Sequence, residues 1–283
     1  LVTPMQNIIT NFGSGITVAG AVLIAQYIGA GEKEDARSMA NQIFACAMGF
    51  AVVCATLCFL GTPAIVNWLG ADGGTAYYAR VYLRVVIWDM PFLYMVNIFS
   101  AVHQAQGDTV RPMFLNLGGI TLNLFLDPFF MIILNLGTAG AALATLLAKA
   151  IPAIVAFGLL CRQENDICLN RKYMRLQKEK LGMILKIGLP TAIGGSTMQL
   201  GFLLMSKNVF VYGTEAMAAY GIGNKVNGLI TLPSNAIGSA TATIVGQNMG
   251  AKQSDRAEKG YRFSMWISVV FLVIGGMILQ RDM

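Results

Sequence analysis

Long uncharged apolar runs alternate along this chain with short polar segments. Eight such runs cover roughly residues 4–29, 38–69, 85–103, 112–134, 138–161, 186–212, 216–249 and 263–280. An α-helix needs about 20 apolar residues to cross a hydrocarbon core, and each run reaches or approaches that length. The second and seventh exceed it, so they are expected to tilt, kink or project beyond the bilayer. Period-two alternation is absent, and the runs are too long and continuous for barrel strands. The pattern therefore predicts an all-α, polytopic membrane bundle of about eight spans.

Composition agrees. The chain is 55% hydrophobic and 12% charged, with a mean hydropathy of +0.61; a soluble domain carries about 25% charged residues. The net charge of +6 would suit nucleic acid if it formed a patch, but its distribution points to topology. Loops 30–37, 104–111, 162–186 and 249–262 hold fourteen of the twenty Lys and Arg residues. They all fall on one side when the spans are threaded up and down, and the Lys/Arg-rich side is cytoplasmic. A multi-pass membrane protein with those loops on the cytoplasmic side, and with lipid rather than nucleic acid around it, is the expectation.

The sequence also repeats itself. At an offset of 221 positions, nine of the twenty-eight residues from Ile9 to Ala36 recur. Both copies end an uncharged run in Gln-x-x-Gly-Ala, at Gln26–Ala30 and Gln247–Ala251. The offset pairs the first span with the seventh, which implies a six-helix repeat and twelve helices in all. Repeated bundles of this kind are a common build for secondary transporters, with the substrate path between the halves. Residues 1–161 are then an amino-terminal lobe lacking its first helix. Residues 162–185 are a cytoplasmic linker, and 186–283 hold the first three helices of a second lobe. Both ends of the chain read as cut. The linker is basic and partly amphipathic, and either lies on the anionic inner leaflet or is simply solvated. Cys46, Cys54, Cys58, Cys161 and Cys168 show no metal spacing and read as reduced packing residues.

Ionisable groups inside spans are the first candidates for function, because a bilayer makes them expensive. Asp127 heads them. With Asn116 and Asn123 it follows spacings of seven and four, one face of a helix. Pro128 comes next and, lacking an N–H, leaves the Leu124 carbonyl without its helical donor. A carboxylate, an amide oxygen and a freed carbonyl suit a hard cation or a proton. Asp89, followed by Pro91, reads more as a pairing residue, near Arg84. Lys149 and Lys225 lie within spans, and each either counters an aspartate or snorkels. Lys207 is close enough to the outer surface to snorkel. His103 reads as an interface residue rather than a proton relay. Thr145, one turn before Lys149, offers another oxygen. No phosphate loop, metal-protease helix or nucleophile triad appears, so no enzyme and no cofactor are expected.

The segments AQYIGAGEKEDAR, GDTVRPMFLNLGGITLNLFLDPFFMIILNLGTAGAALAT, KIGLPTAI and AYGIGNKVNGLI…IVGQNMGAKQSDR resemble, in order and along nearly the whole chain, the multidrug and toxic compound extrusion (MATE) transporters. The likeness is greatest to the bacterial DNA-damage-inducible and staphylococcal-type branch. It implies two six-helix lobes, alternating access and export of organic cations by a monomer, driven by Na+ or H+. It also implies a cation site of Asn123, Asp127 and Thr145, whose remaining carboxylate belongs to a helix preceding this chain. Some relatives carry a glutamate early in the seventh helix; Pro190 to Gly201 has none here, with Ser196, Thr197 and Gln199 among its polar residues, which weakens the case for a second site. Asn116, Asp89, Lys149, Gln199 and Lys225 are the further substrate-path candidates. The alternatives are a lipid-linked sugar flippase of the same superfamily and a non-transporting remnant.

Overall fold

A computed structural model describes residues 3–68, 87–162 and 167–281. The described residues form eight α-helices and no strand. These are α1 (Thr3–Gly29), α2 (Lys33–Trp68), α3 (Asp89–Ala105), α4 (Val110–Pro128), α5 (Gly137–Cys161), α6 (Lys178–Phe210), α7 (Thr214–Gly250) and α8 (Ser254–Arg281). Five helical segments are long and apolar enough to cross a membrane: Lys33–Thr62, Val110–Ile133, Ala139–Cys161, Lys178–Phe210 and Ser254–Met277. The expected count of eight is therefore approximate. In α1 the apolar stretch is the shorter Gly13–Gly29, and α3 has 17 residues. Along α7, Asn224, Lys225, Asn227, Ser234 and Asn235 dilute the apolar run. Arg80 and Arg84 lie outside the described residues.

The core gathers on α1, which packs against α2, α3, α6 and α7. Small residues permit this crowding, as close helix packing in lipid requires. Ala19 and Ala25 of α1, Ala40 and Ala47 of α2, and Phe99 and Val102 of α3 are fully or almost fully buried. By contrast, α4 turns Phe114, Leu117, Ile120, Leu124 and Phe125 outward. In water such a helix would be a liability; next to acyl chains it is ordinary.

The sequence repeat is also a repeat of backbone geometry. After α1, Gly31 sits at φ +79°, and its equivalent after α7, Lys252, at +58°. The hydrogen bonds that close the two caps correspond. Ala30 N donates to Gln26 O at 2.9 Å and Ala251 N to Gln247 O at 3.0 Å. Glu32 N donates to Tyr27 O at 2.9 Å and Gln253 N to Asn248 O at 2.8 Å. Both helices thus end in the left-handed cap that satisfies the last carbonyls.

The described residues of the segment after α5 are tied to α2. Ile167, Cys168 and Leu169 are buried, and two fully buried amides of α2 hold the backbone that follows. Asn41 donates to Cys168 O at 3.2 Å and accepts from Asn170 N at 2.9 Å. Gln42 donates to the carbonyls of Tyr173 and Arg175 and accepts from Gln177 N, at 2.9, 2.6 and 3.0 Å. At the rim, Tyr173 donates to Glu34 Oε2 at 2.6 Å, which raises the phenol above its ordinary pKa; Lys180 pairs with Asp35 at 2.9 Å. Gln42→Ala removes three of these bonds, worth together about 2–4 kcal/mol at the usual net value per bond. Tryptic cleavage after Arg171, Lys172 and Arg175 should accelerate tenfold or more, since cleavage follows the population of the open segment. An unchanged cleavage rate would mean that the apolar contacts alone hold it.

Candidate functional site

The polar residues of α4 sit where its helix changes pitch. Pro128 ends the α-helical register, and Phe129–Ile133 continue as a π-helical turn, with Leu134 N donating to Phe129 O at 3.1 Å. Such turns recur at functional sites because they re-aim side chains without ending the helix. One residue before the break, Asp127 accepts a hydrogen bond from Asn123 Nδ2 at 3.4 Å. Both are half-buried, as the four-residue spacing predicts.

Asn123 also lines a cavity of roughly 280 Å³ between α3, α4 and α5. Asn116 shares the lining, and from α5 come Thr145 and Lys149, one turn apart. Close packing of the walls is set by Gly119, where a Cβ would lie 3.1 Å from Ala148 O and 3.2 Å from Pro152 Cγ. Thr145 gives its hydroxyl proton to Ala141 O at 2.9 Å, so its oxygen remains an acceptor. Asn116 gives one amide proton to Pro112 O at 2.8 Å, which leaves its carbonyl oxygen and a second N–H. The lining thus offers side-chain oxygens of Asn116, Asn123 and Thr145 beside the ammonium of Lys149.

Lys149 supplies the one charged side chain of the lining. Its ammonium is paired with Asp89, whose side chain is 1% exposed against 33% for Lys149. Of the two roles open to Lys149, countering an aspartate is the one observed. Asp127 is not part of the cavity wall; it reaches the cavity through Asn123. Gln199 on α6 and Lys225 on α7 lie outside the lining as well. Lys225 is exposed, over a separate apolar depression with Gly228, Leu229 and Leu232. His103 is buried, with Nδ1 3.0 Å from Phe99 O and its ring 4.0 Å from that of Phe99. Among the described residues no three His, Cys, Asp or Glu side chains converge. What the cavity brings together is Asn116 and Asn123 of α4 with Thr145 and Lys149 of α5.

Comparison with known proteins decides the family. The MatE family model matches residues 1–129 and 190–280. The chain belongs to the MatE family. Among curated MatE relatives, the probable multidrug resistance protein YoeA of Bacillus subtilis is 24% identical over 98% of this chain and 60% of its own length. The multidrug export protein MepA of Staphylococcus aureus is 26% identical over 96% of this chain and 60% of its own. The chain thus spans about 60% of the length of these relatives. Solved MatE structures share the fold. An outward-facing multidrug resistance transporter of the family superposes over 95% of this chain and 60% of its own, at a TM-score of 0.88 and 23% identity. The corresponding inward-facing conformation reaches 0.73. A multi-pass helical membrane protein of a transporter family is therefore what this sequence encodes.

Proposed function

We propose that the full-length protein is an antiporter that exports organic cations across the cytoplasmic membrane of a bacterium, driven by Na+ or H+. The observation that carries this reading is the meeting of Asn123, hydrogen-bonded to Asp127, with Thr145 of another helix at one cavity. In alternating access the coupling ion binds these oxygens in one state and leaves in the other. The π-helical turn after Pro128 links occupancy of the site to the shape of α4. The substrate occupies the path between two lobes, 1–161 and 186–283, joined by the 162–185 linker. The protein acts as a monomer. A curated relative named as a multidrug export protein supports the substrate class.

The flippase alternative finds no support in the cavity of the amino-terminal lobe. Its wall is mostly apolar, and its single charge is neutralised by Asp89. A sugar-phosphate headgroup would need several free cations.

The test is reconstitution of the full-length protein in liposomes loaded with ethidium. Efflux should follow an imposed inward gradient of Na+ or of H+, and collapse when that gradient is dissipated. Ethidium flux indifferent to both gradients would overturn the proposal.

A further inference from the structure

The repeated Gln-x-x-Gly-Ala segments, which the ion site does not use, meet each other. At Gly29 a Cβ would collide with the backbone carbonyl of Gln247, and at Gly250 with that of Gln26. The relation is reciprocal: each glycine seats the carbonyl of the other copy's glutamine. One turn earlier, Ala25 and Gly246 are equivalent under the 221-residue offset. They touch directly, with a Cβ at 246 lying 3.0 Å from that of Ala25. Positions 25 and 246 therefore lie next to the pseudo-two-fold axis that relates α1 to α7. Further along α1 the approach passes to α6. There a Cβ on Gly188 would stand 3.0 Å from Gly15 O, and Asn11 donates to Gly195 O at 3.4 Å. Gln247 adds a polar tie, donating to Ala105 O at the end of α3 at 2.8 Å.

We propose that the two copies of the repeat form a reciprocal glycine clasp that closes the cytoplasmic end between the lobes. The clasp sets how tightly that end shuts. Backbone carbonyls cannot yield as a flexible side chain can, so a methyl group at position 29 or 250 holds the helices apart. Both glycines adjoin the Lys/Arg-rich loops 30–37 and 249–262, which places the contact on the inner face. The proposal rests on the two-lobe reading but not on the ion site; a chain that binds no cation would still clasp.

The experiment is oxidation of the full chain carrying Ala25→Cys and Gly246→Cys, with the linked peptides identified by mass spectrometry. A disulfide needs Cβ atoms about 3.5–4.5 Å apart, close to the observed approach. The bond should form readily, and adding Gly29→Ala or Gly250→Ala should lower its yield about tenfold. Gly49→Ala, at a glycine of α2 with open space beside it, should leave the yield unchanged. Absence of the disulfide in the parent pair would overturn the clasp, as would equal yields with and without the alanines. If an alanine variant fails to fold, the yield in the parent pair and the variant at the other glycine decide. Because the readout is a bond, it is independent of whether ethidium moves.

Discussion

Asp127→Asn in the full-length protein should reduce ion-driven ethidium efflux by at least tenfold while leaving the protein folded. Asparagine has the size of aspartate and keeps an oxygen where Asn123 Nδ2 now donates at 3.4 Å, so the helix and its π-helical turn persist. The loss is of charge. A hydrogen bond or contact to a charged group is worth about 1.5–3 kcal/mol. Each 1.4 kcal/mol is a factor of ten in binding, so ion affinity should fall roughly ten- to hundredfold. Thr145→Val should cost less, because a hydroxyl oxygen already engaged with Ala141 contributes a dipole rather than a charge. The order matters as much as the size. Equal losses for the two variants would mean that the site works as a rigid shape; no loss for Asp127→Asn would remove the carboxylate from the mechanism altogether.

How much of this was legible in the sequence varies by kind of interaction. Helices and their approximate limits follow from hydropathy, because in lipid the backbone must satisfy itself within each span. The Asn123–Asp127 contact follows from local spacing, since residues four apart on a helix are neighbours. Thr145 joins the set only through the family resemblance; alone, a threonine bonded to its own helix is unremarkable chemistry. Long-range pairings left no local trace. Nothing near Asp89 announces Lys149, sixty residues on, and nothing marks Asn41 and Gln42 as the amides that hold the segment after α5. Adjacent amides inside an apolar run are a usable signal in retrospect, because burying both without partners would be costly. The matching caps were hidden for another reason. Lys252 does the work of Gly31 with a side chain that rarely adopts positive φ, so identity alone does not show the equivalence.

Lys149→Met should be the most destabilising single change in the cavity, lowering stability by about 3–5 kcal/mol, the usual cost of stripping a buried charge of its partner. The asymmetry of the pair explains why. Asp89 is enclosed, with a side chain 1% exposed, and its Oδ2 faces the Lys149 ammonium. Remove the ammonium, and an enclosed carboxylate is left without its counter-charge. Lys149, a third exposed along the cavity, has a flexible stem that can redirect its charge towards solvent. Asp89→Leu should therefore cost less than Lys149→Met. Combining the two should recover most of the loss, since an apolar pair of similar volume often matches a buried ion pair in stability. The measurement is a double-mutant cycle on thermal unfolding in detergent. Single changes that simply add would mean the two charges do not depend on each other, and Lys149 would then be a free cation facing the ion site. Strong coupling instead makes Asp89 the reason that a lysine can sit one turn from Thr145 without repelling the cation that Asp127 is proposed to bind.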